Sequence, residues 1–270
     1  MYRIEDVYAW NYTDFIAKVG QWNVPPGSFS TVNEWAVFGR VTSESRVLEI
    51  ACTTGFSGRE LSKLTGCSVY GIDISETSIE QARQDAKYYA PNCKLEYECI
   101  DVYNFPIDKK YTHIILGAAI QFFSDQNRLI YIISQLLEDG GMLLVSPYYL
   151  TDRPLPDKII NDSKRVININ PTNFDYHFAM SYYKDFEIIY QSRKDIIVET
   201  DEEMKKYTDD TINRWIVRNG IADEKLIQAM RTRLMEIKEV CNNIHKYHSY
   251  SVMVLRYEKK VYPNRFVELF

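Results

Sequence analysis

An α/β fold with a parallel sheet is predicted by two neighbouring segments and the helix behind them. VLEIACTTGFSG at 47–58 is an apolar strand that runs into a small-residue loop and then a helix. VYGIDIS at 69–75 is a second apolar strand that ends on an acid. Behind it, Ile79, Ala82, Ala86 and Tyr89 or Ala90 recur at helical spacing, with Thr77 and Glu80 placed for a capping box, which supplies the crossover that parallel strands need. Strand, loop, helix and strand in this order form the nucleotide-cradling half of a Rossmann-like βαβ unit.

Each element has a local reason. Val47, Leu48 and Ile50 build the first strand. Ala51, Cys52, Thr53, Thr54 and Gly55 turn tightly because their side chains are small and Gly55 tolerates positive φ, with Cys52 as a small filler. Phe56 to Leu64 reads as the helix, stopped by Thr65-Gly66, and the backbone N–H groups at its start suit a carboxylate or phosphate. Asp73 ends the second strand, 24 residues after Glu49, where a carboxylate can accept both hydroxyls of a ribose. A pyrophosphate dinucleotide asks for three glycines, whereas this loop has Ala51, Thr53 and Gly55. Two Cβ atoms and the leading acid Glu49 argue against pyrophosphate and for a ligand with a cationic amino group.

Further segments follow in step. Lys94 to Tyr97 reads as a third strand, followed by Cys99-Ile100-Asp101-Val102. Tyr111 to Asp125 (YTHIILGAAIQFFSD) is a strand that breaks at Gly117-Ala118. Leu136 to Val145 (LLEDGGMLLV) is a Gly-Gly turn into a buried strand, Met142 to Val145. In this order, over roughly residues 40–150, the chain resembles the class I S-adenosylmethionine (SAM) methyltransferases, whose first motif is an acid followed by three spaced glycines. The small-molecule members are the nearest in pattern. The resemblance implies a seven-stranded, mostly parallel sheet in the order 3-2-1-4-5-7-6, the last strand antiparallel, with N-terminal helices and an α-helical lid between strands six and seven. It implies SAM as cofactor. Glu49 would face the methionine amino group directly or through water, and Ala51, Cys52, Thr53 and Gly55 would line the cofactor backbone. Asp73 with Ser75 would hold the ribose, Ile74 would pack on adenine, and Asp101 with Val102 would contact the adenine edge. Gly117 and Ala118 would sit below the sulfonium, with Gln121 where a histidine is common.

Composition agrees. The chain has 270 residues, 46% hydrophobic and 26% charged, enough for one large α/β domain. Net charge is −5, the pI is near 5.5, and no basic stripe stands out, which disfavours a nucleic-acid partner. Lys109-Lys110, Lys205-Lys206 and Lys259-Lys260 read as solvated pairs. The start, MYRIEDVYAW, lacks the plan of a secretory signal, and no stretch approaches the ~18 apolar residues of a membrane span. The five cysteines, Cys52, Cys67, Cys93, Cys99 and Cys241, form no C-x-x-C, so a reduced, cytoplasmic protein is expected. His113, His177, His245 and His248 have no partners at ligand spacing, and no metal is expected.

The remaining chain divides around this core (35–150). Residues 1–34 form a cap segment rich in aromatics, namely Tyr2, Tyr8, Trp10, Tyr12, Phe15 and Trp22, whose bland reading is a satellite core. The turn-rich Val24-Pro25-Pro26-Gly27-Ser28-Phe29 resembles a His-Pro-Gly-Gly stretch that in several small-molecule methyltransferases lies beside the methionine end of the cofactor. Pro26-Gly27 matches and Ser28 departs. Thr31 to Val41 then reads as a helix. Residues 151–172 read as an insertion, Asn173 to Asp185 as a helix, and Phe186 to Val198 as a strand. A lid at 199–247 holds two amphipathic helices, one capped by Asp201 and one opened by Asp223, parted by Gly220, and Tyr250 to Tyr257 closes the sheet. With no linker and no repeat, residues 1–270 read as one domain.

Methyl transfer is an in-line displacement in which the protein orients a nucleophile about 3 Å from the methyl carbon and excludes water. A base is needed for a phenol or carboxyl and optional for an amine. His177, His245, His248 and Tyr149 are the catalytic candidates, with Gln121, Tyr148, Tyr176, Tyr247 and Tyr250 near the same edge. A packing role is the bland alternative for each. The aromatics could also cage a cationic amine, although 21 tyrosines put rings near any site. The expected function is methylation of a nitrogen or oxygen of a small molecule by a monomer or homodimer. The alternatives are a protein or nucleic-acid methyltransferase, a non-catalytic SAM-binding protein, and a nicotinamide-dependent enzyme.

Overall fold

The computed structural model describes residues 3–151, 153–171 and 174–259. Tyr2, Thr172, Asn173 and Lys260, which enter the sequence reading, lie outside the described residues. Three helices come first, α1 (Ile4–Ala9), α2 (Tyr12–Lys18) and α3 (Phe29–Phe38). The sheet half follows as β1 (Arg46–Ile50), α4 (Phe56–Thr65), β2 (Ser68–Asp73), α5 (Glu76–Tyr89), β3 (Leu95–Cys99), β4 (Tyr111–Gly117), α6 (Gln126–Leu136) and β5 (Leu137–Val145). Then come β6 (Tyr148–Leu150), α7 (Asp157–Ile167), α8 (Tyr176–Ser181), β7 (Glu187–Asp195), α9 (Asp201–Asn219), α10 (Glu224–His245) and β8 (His248–Arg256).

The sheet runs β3-β2-β1-β4-β5-β8, parallel through β5, with β8 antiparallel to β5 and β7 along its other side. This is the expected 3-2-1-4-5-7-6, β7 and β8 being its sixth and seventh strands. The addition is β6. Only Met253–Arg256 of β8 pair with β5, and Pro147 has no N–H to continue the ladder, so Tyr148–Leu150 resume pairing with the first residues of β8.

Alternation along the strands sends residues to two layers. Leu48, Ile50, Ile114, Leu116, Leu143 and Val145 pack with α6 and α8, while Val47, Val69, Ile115, Leu144, Val252 and Val254 pack with Trp35 of α3 and Phe56 and Leu61 of α4. Each such side chain contributes roughly 1.5–3 kcal/mol by leaving water. A third core belongs to the cap and lid, where Phe15 and Ile16 of α2 meet Trp215 of α9 and Met230, Leu234 and Ile237 of α10.

Local details depart from expectation for local reasons. Helix α5 is capped by Ser75, whose hydroxyl accepts from the Ser78 N–H, so Thr77 lies inside the helix. Helix α9 is capped by Thr200 in a capping box with Glu203, one residue before Asp201. The expected insertion holds α7, and the helix expected over 173–185 is the six-residue α8. Gly140, at φ +80°, bends β5 internally, and α6 runs directly into that strand. Helix α3 ends at Phe38, three residues short of Val41.

Candidate active site: a cofactor edge and a ring-lined chamber

The loop after β1 is turned by three alternate residues in the left-handed region, Ala51 at φ +55°, Thr53 at +48° and Gly55 at +69°. These are the glycine positions of the pattern, and the backbone keeps the glycine conformation although two side chains carry a Cβ. That costs roughly 1–2 kcal/mol for each non-glycine residue. A Cβ on Gly55 would lie 2.6 Å from the Tyr97 hydroxyl, so the third position has no room for one. Buried acids hold the turn. The Thr53 N–H donates to Asp73 Oδ2 at 2.9 Å, and the Gly58 N–H donates to Glu49 Oε2 at 3.0 Å. Cys52 is buried against Ile79, Ala82 and Tyr97 as a filler.

Glu49 is 3% exposed and faces the start of α4, satisfying a helix N–H that has no partner within the helix. Burial pushes its carboxyl from 4.5 up to about 7, against the opposing pull of the Gly58 N–H, Ser57 and Arg59. Asp73 is also buried, and burial raises its pKa. Its second oxygen accepts from the Ser75 N–H at 2.9 Å and the Ile74 N–H also favours the ionised acid, so three backbone donors grip a carboxylate with about four acceptor sites. Ile74 beside it is 75% exposed. Asp101 caps a short 3-10 turn by accepting from the Tyr103 N–H at 2.9 Å, and Val102 turns into the sheet core. Gly117 sits at φ +56° with nothing within 4 Å of where a Cβ would stand, and Ala118 and Gln121 beside it are half-buried. The residues at these four strand ends fit an adenosine-bearing ligand: a turned loop, a buried acid held by backbone N–H groups, an exposed apolar face and open space at the fourth strand.

The cap closes over this edge. Ser75 donates its hydroxyl to Asp14 of α2 at 2.6 Å, and the Asn23 N–H reaches Thr54 Oγ1 at 3.4 Å. Gly27 and Ser28 have φ of +80° and +50°, and a Cβ on Gly27 would meet the Tyr250 hydroxyl at 2.7 Å. Arg59 of α4 is wholly buried under the rings of Trp22, Phe56 and Tyr89, with Glu60 at 3.1 Å and Asp85 at 3.8 Å. Asp85 of α5 is also reached by Arg218 of α9 at 3.3 Å, which ties the lid to the sheet domain.

A cluster of rings lies where the lid returns to the sheet. The Tyr148 ring stacks 6.2 Å from His245 and 5.9 Å from His248, with Tyr250 edge-on at 6.4 Å. Tyr12 and Cys241 pack at the margin of the cap-and-lid core, and the Lys238 ammonium stands 4.5 Å from the Tyr207 ring centre. These residues are half-buried. Burial lowers His245 and His248 to about 4 and raises the tyrosines, so all are neutral near pH 7. Tyr148 stands two residues beyond the Ser146 N–H that donates to the Gly117 carbonyl, so this ring lies close in sequence to the fourth strand end.

The structure divides the four catalytic candidates. His245 and His248 both lie against the Tyr148 ring. Tyr149 points through the opposite face of the sheet, as a neighbour of Tyr148 on a strand must, and its hydroxyl lies 3.1 Å from both the Tyr250 carbonyl and Ser251 Oγ. His177 is exposed on α8 against Tyr176, on that same far face. Both are thus apart from the Tyr148 ring cluster. The sequence reading missed Tyr207 and Cys241, took Tyr12 as core, and missed Asp14 beside Ser75 and the Arg59–Asp85–Arg218 cluster. The one local signal was a charged Arg59 on the apolar face of its helix.

Residues 47–141 match the family described as a methyltransferase domain. The carboxy-S-adenosyl-L-methionine synthase of Shewanella loihica is 27% identical over 175 residues, 61% of this chain and 70% of that protein. Curated relatives are matched over 37% to 70% of their own length. Among solved structures, the MccD protein is 26% identical with a TM-score of 0.70, over 87% of this chain and all of that one. A SAM-dependent methyltransferase from Geobacter sulfurreducens, solved with S-adenosyl-L-homocysteine, has a TM-score of 0.67 at 16% identity over 90% of this chain and 96% of its own, a likeness of fold. Residues 47–141 thus match a methyltransferase domain, and the sheet built around them, ordered 3-2-1-4-5-7-6, has the fold of the S-adenosylmethionine-dependent methyltransferases.

Proposed function

We propose that the protein transfers a methyl group from SAM to a nitrogen or oxygen of a small-molecule acceptor. The observation that carries this is the turned Ala51–Gly55 loop beside a buried Asp73 that backbone N–H groups hold at the end of β2. When bound, SAM supplies an activated methyl on a cationic sulfur. The chain's own part is to hold and align. Asp73 holds the ribose, Ile74 covers one face of the base, and Asp101 stands at its edge. Glu49 keeps the loop in shape from beneath, and Gly117 with Ala118 leaves room where the acceptor approaches. The cap and the lid exclude water, which strengthens every polar contact inside.

The acidic balance and the lack of a basic stripe favour a small acceptor over a nucleic acid. Five free cysteines suit a reducing cytoplasm. Among the described residues no group of side chains could hold a metal, and no helix is long and apolar enough to cross a membrane. The cap at 1–34, core at 35–150, insertion at 151–172 and lid at 199–247 act in this reading as one domain.

Calorimetry with SAM, S-adenosylhomocysteine and NAD, followed by mass spectrometry of a metabolite extract incubated with methyl-labelled SAM, tests the proposal. Binding of the first two ligands and S-adenosylhomocysteine formed one-for-one with a methylated metabolite is the expected result. Binding of NAD instead, or consumption of SAM to a different nucleoside product, overturns it.

A further inference from the structure

We infer that Asp14, on the cap helix α2, is the second acid of the ribose site and takes one of the two ribose hydroxyls, Asp73 taking the other. This rests on the reading of the cofactor edge above and adds to it a residue from outside the sheet. Three observations support it.

The first is a count of acceptors. A ribose presents two vicinal O–H donors. A carboxylate has about four acceptor sites, and Asp73 has given three of them to the N–H groups of Thr53, Ser75 and Ile74. One hydroxyl is accommodated there, and the other needs a second acceptor.

The second is position. Ser75 bonds both acids: its N–H donates to Asp73 Oδ1 at 2.9 Å, and its hydroxyl donates to Asp14 Oδ1 at 2.6 Å. The same hydroxyl accepts from the Ser78 N–H at 3.1 Å, so Ser75 is itself fixed as the cap of α5. Asp14 is held from its own helix by Asn11, whose amide donates to Asp14 Oδ2 at 3.0 Å and whose carbonyl oxygen accepts the Asp14 N–H at 2.8 Å. With one of these donors on each oxygen, the half-buried Asp14 carboxylate keeps about two of its four acceptor sites.

The third is charge. Burial, and after it the negative charge of Asp14, raise the pKa of Asp73. Two carboxylates bonded to one serine repel each other, and a diol that donates to both relieves the repulsion. A bare tie between cap and sheet would need no second acid at this place. Arg218 of α9 makes such a tie to the same helix α5, reaching Asp85 at 3.3 Å and Gln84 at 2.9 Å.

The test is calorimetric binding of S-adenosylhomocysteine and of its 2′-deoxy and 3′-deoxy analogues to the full chain and to three variants. Asp14→Ala should weaken S-adenosylhomocysteine by about tenfold or more, the loss of one hydrogen bond to a charged group. On the analogue that lacks the hydroxyl taken by Asp14, the same substitution should cost less than about twofold, while on the other analogue the loss stays about tenfold. Asp14→Asn, which keeps an acceptor for Ser75, should show the same dependence on that hydroxyl with a loss of about threefold, and it serves if Asp14→Ala does not fold. Arg218→Ala, which cuts the other tie to α5, should leave all three affinities within about twofold. An equal loss on all three ligands, no loss on any of them, or a loss in Arg218→Ala as large as in Asp14→Ala overturns the assignment of Asp14 and leaves the cofactor reading standing. Failure of S-adenosylhomocysteine to bind the wild-type chain overturns both.

Discussion

The cofactor edge and the ring cluster under the lid are made of different materials. At the edge, buried acids grip backbone N–H groups across short loops: Asp73 takes Thr53 and Ser75, Glu49 takes Gly58, and Asp101 takes Tyr103. Under the lid, the Tyr148 ring meets His245, His248 and Tyr250 through faces and edges. The edge is fixed by directed contacts to the backbone. The ring cluster is held by side-chain packing. Within one chain, one region is specified by backbone geometry and the other by side chains.

The largest test lies where the two halves join. Asp85→Ala should destabilise the protein by about 3–5 kcal/mol in urea unfolding, because it leaves Arg59 buried without its second carboxylate. A cost below that of Arg218→Ala would remove the cluster from its place as the junction.

Next, the halves should answer pH in opposite directions. Glu49 holds its proton more tightly folded, at about 7 against 4.5, so its contribution is complete below pH 4.5 and is lost as pH rises toward 7. The loss reaches up to about 3 kcal/mol. His245 and His248, lowered from 6.5 to about 4, act the other way: stability is present above pH 6.5 and is lost as pH falls toward 4. Glu49→Gln should flatten the neutral side of the stability profile, and His245→Gln with His248→Gln the acidic side. Identical profiles for both variants would erase the contrast.

Asp73→Ala should lower SAM affinity on the order of 100-fold by calorimetry, through lost charge-assisted hydrogen bonds. Unchanged SAM affinity would refute the ribose assignment. Smallest of all, Thr53→Gly should raise stability by about 0.5–1 kcal/mol in thermal unfolding by relieving the left-handed backbone, less the entropy glycine gains when unfolded. A loss of stability would show that Thr53 packs better than its φ suggests.

The same contrast explains what could be read from the chain. Glu49, the turned loop and Asp73 fall within 25 residues of one another, and their chemistry is set by local spacing, so strand order and cofactor edge were legible. The ring cluster was legible only in part. His245, His248 and Tyr148 stood out as candidates, but Tyr12 and Tyr207 arrive from helices whose apolar stripes look like ordinary packing. Tyr148 and Tyr149 could not be assigned to faces from sequence because Pro147 interrupts the strand and resets its register with β8. Asp201 was a reasonable cap, yet Thr200 with Glu203 completes a reciprocal pair that Asp201 cannot.

Helix α2 touches Ser75 through Asp14 on one face and buries Phe15 and Ile16 in the lid core on another. It is a strut between the nucleoside and the roof. Seating a nucleoside beside Asp73 should therefore tighten the connection from Gly20 to Ser28, and a protease should clip that link more slowly in the presence of S-adenosylhomocysteine. Digestion at the same rate with and without the ligand would mean that the strut transmits nothing.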